Sequence, residues 1–132
     1  MTQPDGLLAG VHVLDLSRAV AGPYCTMLLG DFGAEVIKVE PSTGDLGRAA
    51  GLSHVGEQSI YFLSIDRNKR SIVIDLQTSD GQRVLSDLLK WADVLVENFR
   101  PGVLERLGFG QKELEEINGS LILCSSSARI AI

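Results

Sequence analysis

Apolar residues in this chain fall in short continuous runs rather than in strict alternation. Five runs predict strands, at residues 11–16, 35–39, 71–76, 93–97 and 121–124. Runs of this kind suit strands covered on both faces, as in a parallel sheet. Helical patterns lie between several of them. Residues 79–91 place Val84, Leu85, Leu88 and Leu89 on one face, and Ser79 with Gln82 has the spacing of a capping box. Residues 112–118 predict a shorter helix with Leu114 and Ile117 inward and Gly119 as its stop. Strand and helix in alternation predict an α/β fold with a mostly parallel sheet and flanking helices.

Residues 21–40 hold the densest local pattern. Pro23 suits a first helical turn, where a missing N–H costs nothing. Gly33 suits the left-handed residue that ends a helix. Val36, Ile37 and Val39 then form an apolar run closing on Glu40. With the first strand this predicts a βαβ unit, and residues 17–23 become a strand-to-helix loop at the edge where open parallel sheets bind ligands. Residues 41–56, rich in Gly, Ser and polar side chains, predict a long surface loop of a kind that is usually functional or disordered.

Length and charge narrow the function classes. The 132 residues suit one domain spanning the chain, with a real core. A net charge of −5 argues against nucleic acid as a partner, because phosphate backbones need a basic face. No apolar run approaches the ~20 residues of a membrane span, and the N-terminus lacks a signal peptide's regions. Cys25 and Cys124 show no metal spacing, so reduced thiols, no metal site and a cytoplasmic location are the expectation.

Three constellations carry candidate chemistry. In the first loop, Asp15 to Pro23, small residues precede a helix whose N-terminus favours anions; a tight strand-to-helix turn is the alternative. The loop has no Gly-x-Gly-x-x-Gly fingerprint, and Glu40 is only a weak echo of a ribose-binding acid. Asp66-Arg-Asn-Lys-Arg-Ser71 gathers three cations suited to phosphates, or else forms a solvated turn. Glu97-Asn-Phe-Arg-Pro-Gly102, followed by Arg106, stands at the end of a predicted strand. There Asn98 offers donors and an acceptor, Phe99 a flat face for a base, and Arg100 or Arg106 a charge for a phosphate. A plain turn opening a short helix is the alternative for this segment too. His12 fits a packed strand position, and His54 stands alone in the long loop.

Four segments together, LAGVHVLDLS, AGPYCTMLLGDFGAEVIKVEPSTGD, YFLSIDRNKRSIVIDL and ADVLVENFRPGVLERLGFG, occur in order between Leu8 and Cys124. In these the chain resembles the family III CoA transferases, which include formyl-CoA transferase, carnitine CoA transferase and the α-methylacyl-CoA racemases. The resemblance implies a Rossmann-like domain and an interlocked homodimer. Its transferases move CoA from an acyl-CoA to a carboxylic acid through intermediates on an aspartate, with the CoA thioester as substrate and no permanent cofactor. Carried over by position, the coenzyme-binding residues are Val20 and Ala21, then Ile74, Asp75, Leu76 and Gln77, then Asn98, Phe99 and Arg100, and finally Arg106. Pro41 replaces an arginine found in some relatives. The family nucleophile lies beyond Ile132, and Asp15, Asp75 and Asp93 match strand-associated positions instead. The expectation is therefore the N-terminal part of such a domain, incomplete after about residue 124 and inactive alone. A racemase of the same family or a non-catalytic CoA-binding module are the alternatives; a nicotinamide oxidoreductase is disfavoured by the missing glycine fingerprint.

Overall fold

The computed structural model describes residues 6–127. The five apolar runs form strands β1 (His12–Asp15), β2 (Glu35–Glu40), β5 (Lys69–Val73), β6 (Val94–Glu97) and β7 (Ile122–Ser125). All pair in parallel, in the order β5-β2-β1-β6-β7. Between them lie helices α1 (Ala21–Asp31), α2 (Ile60–Ile65), α3 (Ser79–Trp91), α4 (Val103–Arg106) and α5 (Gln111–Ile117). The result is the expected α/β architecture.

The central strands explain why the runs are continuous. Side chains alternate between the two faces of a strand, so a strand covered on both sides needs apolar residues at every position. Leu14 and Leu95 are register neighbours on one face, packed with Val39, Ile74, Leu85, Leu89, Leu104, Phe109 and Leu114. Val13, Val36 and Val96 point the other way and pack with Ala34. Val13, Leu14, Leu85, Leu89 and Leu95 have no exposed surface at all. Exposure is confined to the edges: every residue of β7 is exposed, and most of β5 is exposed or half-buried.

Several local expectations need correction. The third strand of the main sheet begins at Lys69, two residues early, because β2 pairs with it from Val36↔Lys69 to Glu40↔Val73. The cap of α3 is Thr78, whose hydroxyl accepts from the Gly81 N–H at 3.0 Å. The Ser79–Gln82 box does not form; the Gln82 amide donates to the Leu76 carbonyl instead. Gly81 allows this tight start, since a Cβ there would lie 1.9 Å from the Asp75 carbonyl oxygen. The last helix closes on Asn118 rather than Gly119, and Asn118 donates to the carbonyls of Leu89 and Ala92 at 3.0 and 2.8 Å. Residues 41–56 are not structureless: they hold a 3-10 turn at Leu46–Ala49 and strand β3 (His54–Val55), which pairs antiparallel with β4 (Gln58–Ser59). Gly33 does take a left-handed φ of 102° after α1. His12 stacks on Trp91, ring centroids 4.4 Å apart. Among the described residues no helix is long and apolar enough to cross a membrane.

Candidate ligand cleft

Strand order reverses beside β1: the chain builds outward through β2 and β5, then crosses back to place β6 on the other side. Loops leaving the C-terminal ends of β1 and β6 diverge at such a point and leave a crevice. A cleft of about 360 Å³ opens there. Leu16, Val39, Ile74 and Leu76 form its apolar floor, and Phe99, Val103 and Leu107 its far wall. Arg18, Glu40, Ser42, Asp75, Gln77 and Arg100 supply the polar rim.

Most charges of the chain are already engaged. Asp15, fully buried at the end of β1, accepts from the Ser17 N–H at 2.9 Å, the Thr26 hydroxyl at 2.6 Å and the Lys69 ammonium at 3.1 Å. Lys69 also meets Asp66 at 2.7 Å. Lys38, itself 1 % exposed, lies 2.9 Å from Asp45 and 3.4 Å from Asp66, and donates to the Ser17 carbonyl. Burial alone would lower the Lys38 pKa, but the carboxylates of Asp15, Asp45 and Asp66 outweigh it and raise the pKa above the ordinary lysine value. Glu40 accepts from Arg48 twice, at 2.7 and 2.6 Å, from the Ser71 hydroxyl and from the Asp45 N–H. The Arg48 guanidinium foremost holds the Glu40 carboxyl down to about 2.

This settles the basic segment 66–71. Lys69 is bound inside the network, Arg67 pairs with Asp31 at 2.7 Å, and Arg70 pairs with Glu35. The segment is therefore not a free anion site but a structural clasp, with Lys69 buried in the network and Arg67 and Arg70 paired at the exposed surface of the turn. Among the described residues, the arginines and lysines without an ion-pair partner are Arg18, Arg100, Arg106 and Lys112. Two of those four, Arg18 and Arg100, line the cleft.

Of the residues singled out by sequence, Ile74, Asp75, Leu76, Gln77, Phe99 and Arg100 come together as cleft lining. Asn98 stands beside them, but its carboxamide is turned onto the backbone of Arg18. Val20 and Ala21 are exposed at the start of α1, outside the lining. Arg106 is exposed on α4, whose neighbours Val103 and Leu107 do line the cleft. Arg18 was missed by sequence, although it follows β1 as closely as Arg100 follows β6. Position relative to the strand end was the available signal. Both cysteines are free thiols, and burial foremost pushes the Cys25 thiol up, away from a reactive thiolate.

A cleft at this edge fits many α/β proteins, so the decision rests on comparison. Residues 8–128 match the family model described as CoA-transferase family III. The chain belongs to this family. It is 47% identical over 119 residues to human "Succinyl-CoA:glutarate CoA-transferase", covering 89% of this chain and 27% of the relative. The same identity over 119 residues relates it to "Formyl-CoA:oxalate CoA-transferase" of Afipia carboxidovorans, with 89% and 28% covered. Among solved structures, a CAIB/BAIF family protein from Brucella suis superposes with a TM-score of 0.85 at 40% identity, covering 92% of this chain and 33% of that one. Rv3272 from Mycobacterium tuberculosis gives 0.87 at 38% identity, covering 96% and 36%. The chain thus spans about a quarter to a third of the length of these relatives.

Proposed function

We propose that this chain supplies the coenzyme-binding part of a family III CoA-transferase and that the cleft receives the nucleotide end of the CoA thioester. The observation that carries this reading is the pairing of apolar walls with two guanidinium groups, those of Arg18 and Arg100, that form no ion pair among the described residues. An adenine ring buries its faces against aliphatic and aromatic side chains, and Phe99 offers such a face. Phosphates take charge-assisted hydrogen bonds from arginine, the role assigned to Arg100 at the rim, with Arg106 as an outer contact. Val20 and Ala21 would meet the part of the ligand that leaves the cleft toward α1.

The complete reaction moves CoA between acids: an acyl-CoA and a free carboxylate become a carboxylate and a new acyl-CoA. Relatives named for succinyl-CoA with glutarate and for formyl-CoA with oxalate support transfer as the reaction class. Asp15 is not proposed as the nucleophile of that chemistry, since its buried carboxylate is committed to Ser17, Thr26 and Lys69. We extend the proposal to a homodimer of the complete protein, which light scattering would test.

Isothermal titration with CoA tests the reading. Arg100→Ala should weaken CoA roughly tenfold or more, the worth of one charge-assisted hydrogen bond. Undetectable CoA binding at millimolar concentration, or an affinity unchanged by the substitution, would overturn it.

A further inference from the structure

Arg18 has no ion-pair partner among the described residues, and its backbone is held in an unusual way. Three consecutive carbonyls in the loop after β1 each accept from a side chain on a different element. Lys38 of β2 donates to the Ser17 carbonyl at 3.1 Å, Asn98 beyond β6 to the Arg18 carbonyl at 2.6 Å, and Tyr61 of α2 to the Ala19 carbonyl at 2.9 Å. Asn98 also accepts from the Arg18 N–H at 2.8 Å, so its carboxamide grips that residue at both ends. Ala19 adopts a φ of 64°, a left-handed conformation that costs an L-residue energy and needs surrounding contacts to persist. The gripped residue then sends its guanidinium over the Phe99 ring, 5.6 Å from the centroid, at the mouth of the cleft.

We propose that Arg18 is an anion-recognising residue of the cleft and that Asn98 is its positioning residue, acting through the Arg18 backbone rather than by touching the ligand. Tyr61 holds the adjoining left-handed turn as the second anchor. A free arginine side chain loses much rotamer entropy when it binds a phosphate. Fixing its backbone and holding its guanidinium over an aromatic ring removes part of that loss before the ligand arrives. Phe99 and Arg18 therefore present one composite surface, an aromatic ring with a guanidinium over one face, suited to an anionic group carried by an apolar or aromatic one. This assignment rests on the coenzyme reading above for the ligand's identity, but not for its charge.

The test is a double-mutant cycle read with three probes: CoA, inorganic pyrophosphate and adenosine. Arg18→Ala should weaken CoA and pyrophosphate roughly tenfold and leave adenosine within about twofold. Asn98→Ala should cost CoA a similar factor alone, yet less than about twofold further in the Arg18→Ala background, because its effect travels through Arg18. Hydrogen exchange of the Arg18 amide in the ligand-free chain should quicken with Asn98→Ala. Equal losses from Asn98→Ala in both backgrounds would overturn the assignment by showing direct ligand contact. Equal weakening of adenosine would overturn it as a general loss of structure, and so would unchanged exchange at Arg18. Pyrophosphate that binds through Arg18 and Asn98 while CoA fails to bind would remove only the coenzyme reading. If pyrophosphate is not bound either, both fall.

Discussion

Replacing Arg48 by methionine isolates a charge effect that the structure makes unusually legible. Glu40 is 2 % exposed and accepts two guanidinium hydrogen bonds, while Arg48 remains 40 % exposed and lies over Phe62, 4.1 Å from the ring centroid. Glu40 is held down to about 2, from an ordinary value of 4.5. A depressed carboxylate stabilises the fold above its unfolded pKa, and that stabilisation is lost as pH falls through the folded one. The full shift would correspond to roughly 3 kcal/mol, since each unit is worth about 1.4. Solvent around the half-exposed Arg48 and the remaining bonds from Ser71 and the Asp45 N–H reduce Arg48's share to about 1–2 kcal/mol.

Methionine keeps an apolar stem over Phe62, so the lost cation–π contact adds only about 0.5–1 kcal/mol, and that part does not depend on pH. Urea unfolding at pH 7, 5, 4 and 3 should therefore show a gap between parent and Arg48→Met of about 2 kcal/mol at pH 7. The gap should hold down to about pH 5, narrow between about pH 4.5 and 2, and settle on the small pH-independent remainder. A gap that stays constant from pH 7 to 3 would mean that Arg48 acts by packing alone and that Glu40 is stabilised by other groups. No gap at pH 7 would refute the ion pair's contribution outright.

Two further substitutions probe the scaffold beneath the cleft. Lys69→Met strips buried Asp15 and Asp66 of their shared ammonium, and breaking one side of a buried ion cluster should destabilise the chain by about 3–5 kcal/mol in urea titration at pH 7; a loss under about 1 kcal/mol would show that water replaces the ammonium at little cost. Asn118→Ala removes the carboxamide that donates to the Leu89 and Ala92 carbonyls and should lower stability by about 1–2 kcal/mol with an unchanged urea m-value, a change in m pointing instead to a rearranged native state.

The sheet was legible because burial on both faces forces apolar residues at consecutive positions, and that pattern survives in a single sequence. The cleft was legible in part: Phe99 and Arg100 stand just past a predicted strand end, whereas Ile74 to Gln77 came only from the resemblance, because the apolar run to Leu76 hid that β5 ends at Val73. Elements without periodicity were not. Helix α4 is four residues long and α2 is six, too short for a repeating face, and β3 and β4 have two residues each. The buried charges were hidden for another reason. Lys38 and Lys69 look like surface residues in a sequence, because lysine is almost never buried unless paired. Their partners stand on separate elements, at Asp15, Asp45 and Asp66, and only the parallel register of β1, β2 and β5 brings them together.

That register also explains why a charged cluster and an apolar cleft lie so close without interfering. Alternation along β1 sends Leu14 and Leu16 to the cleft face and Val13 and Asp15 to the face of α1, while β2 does the same with Val39 and Lys38. The loop after β1 crosses from one face to the other. It is gripped from the charged side by Lys38 at the Ser17 carbonyl and from the cleft side by Asn98 at Arg18. A loop tied on both sides has little freedom to swing its next side chain. The lysines therefore do work for the site without carrying charge into it: they saturate the aspartates beneath and fix the turn. The guanidinium of Arg18 is left as a charge for an anion to meet.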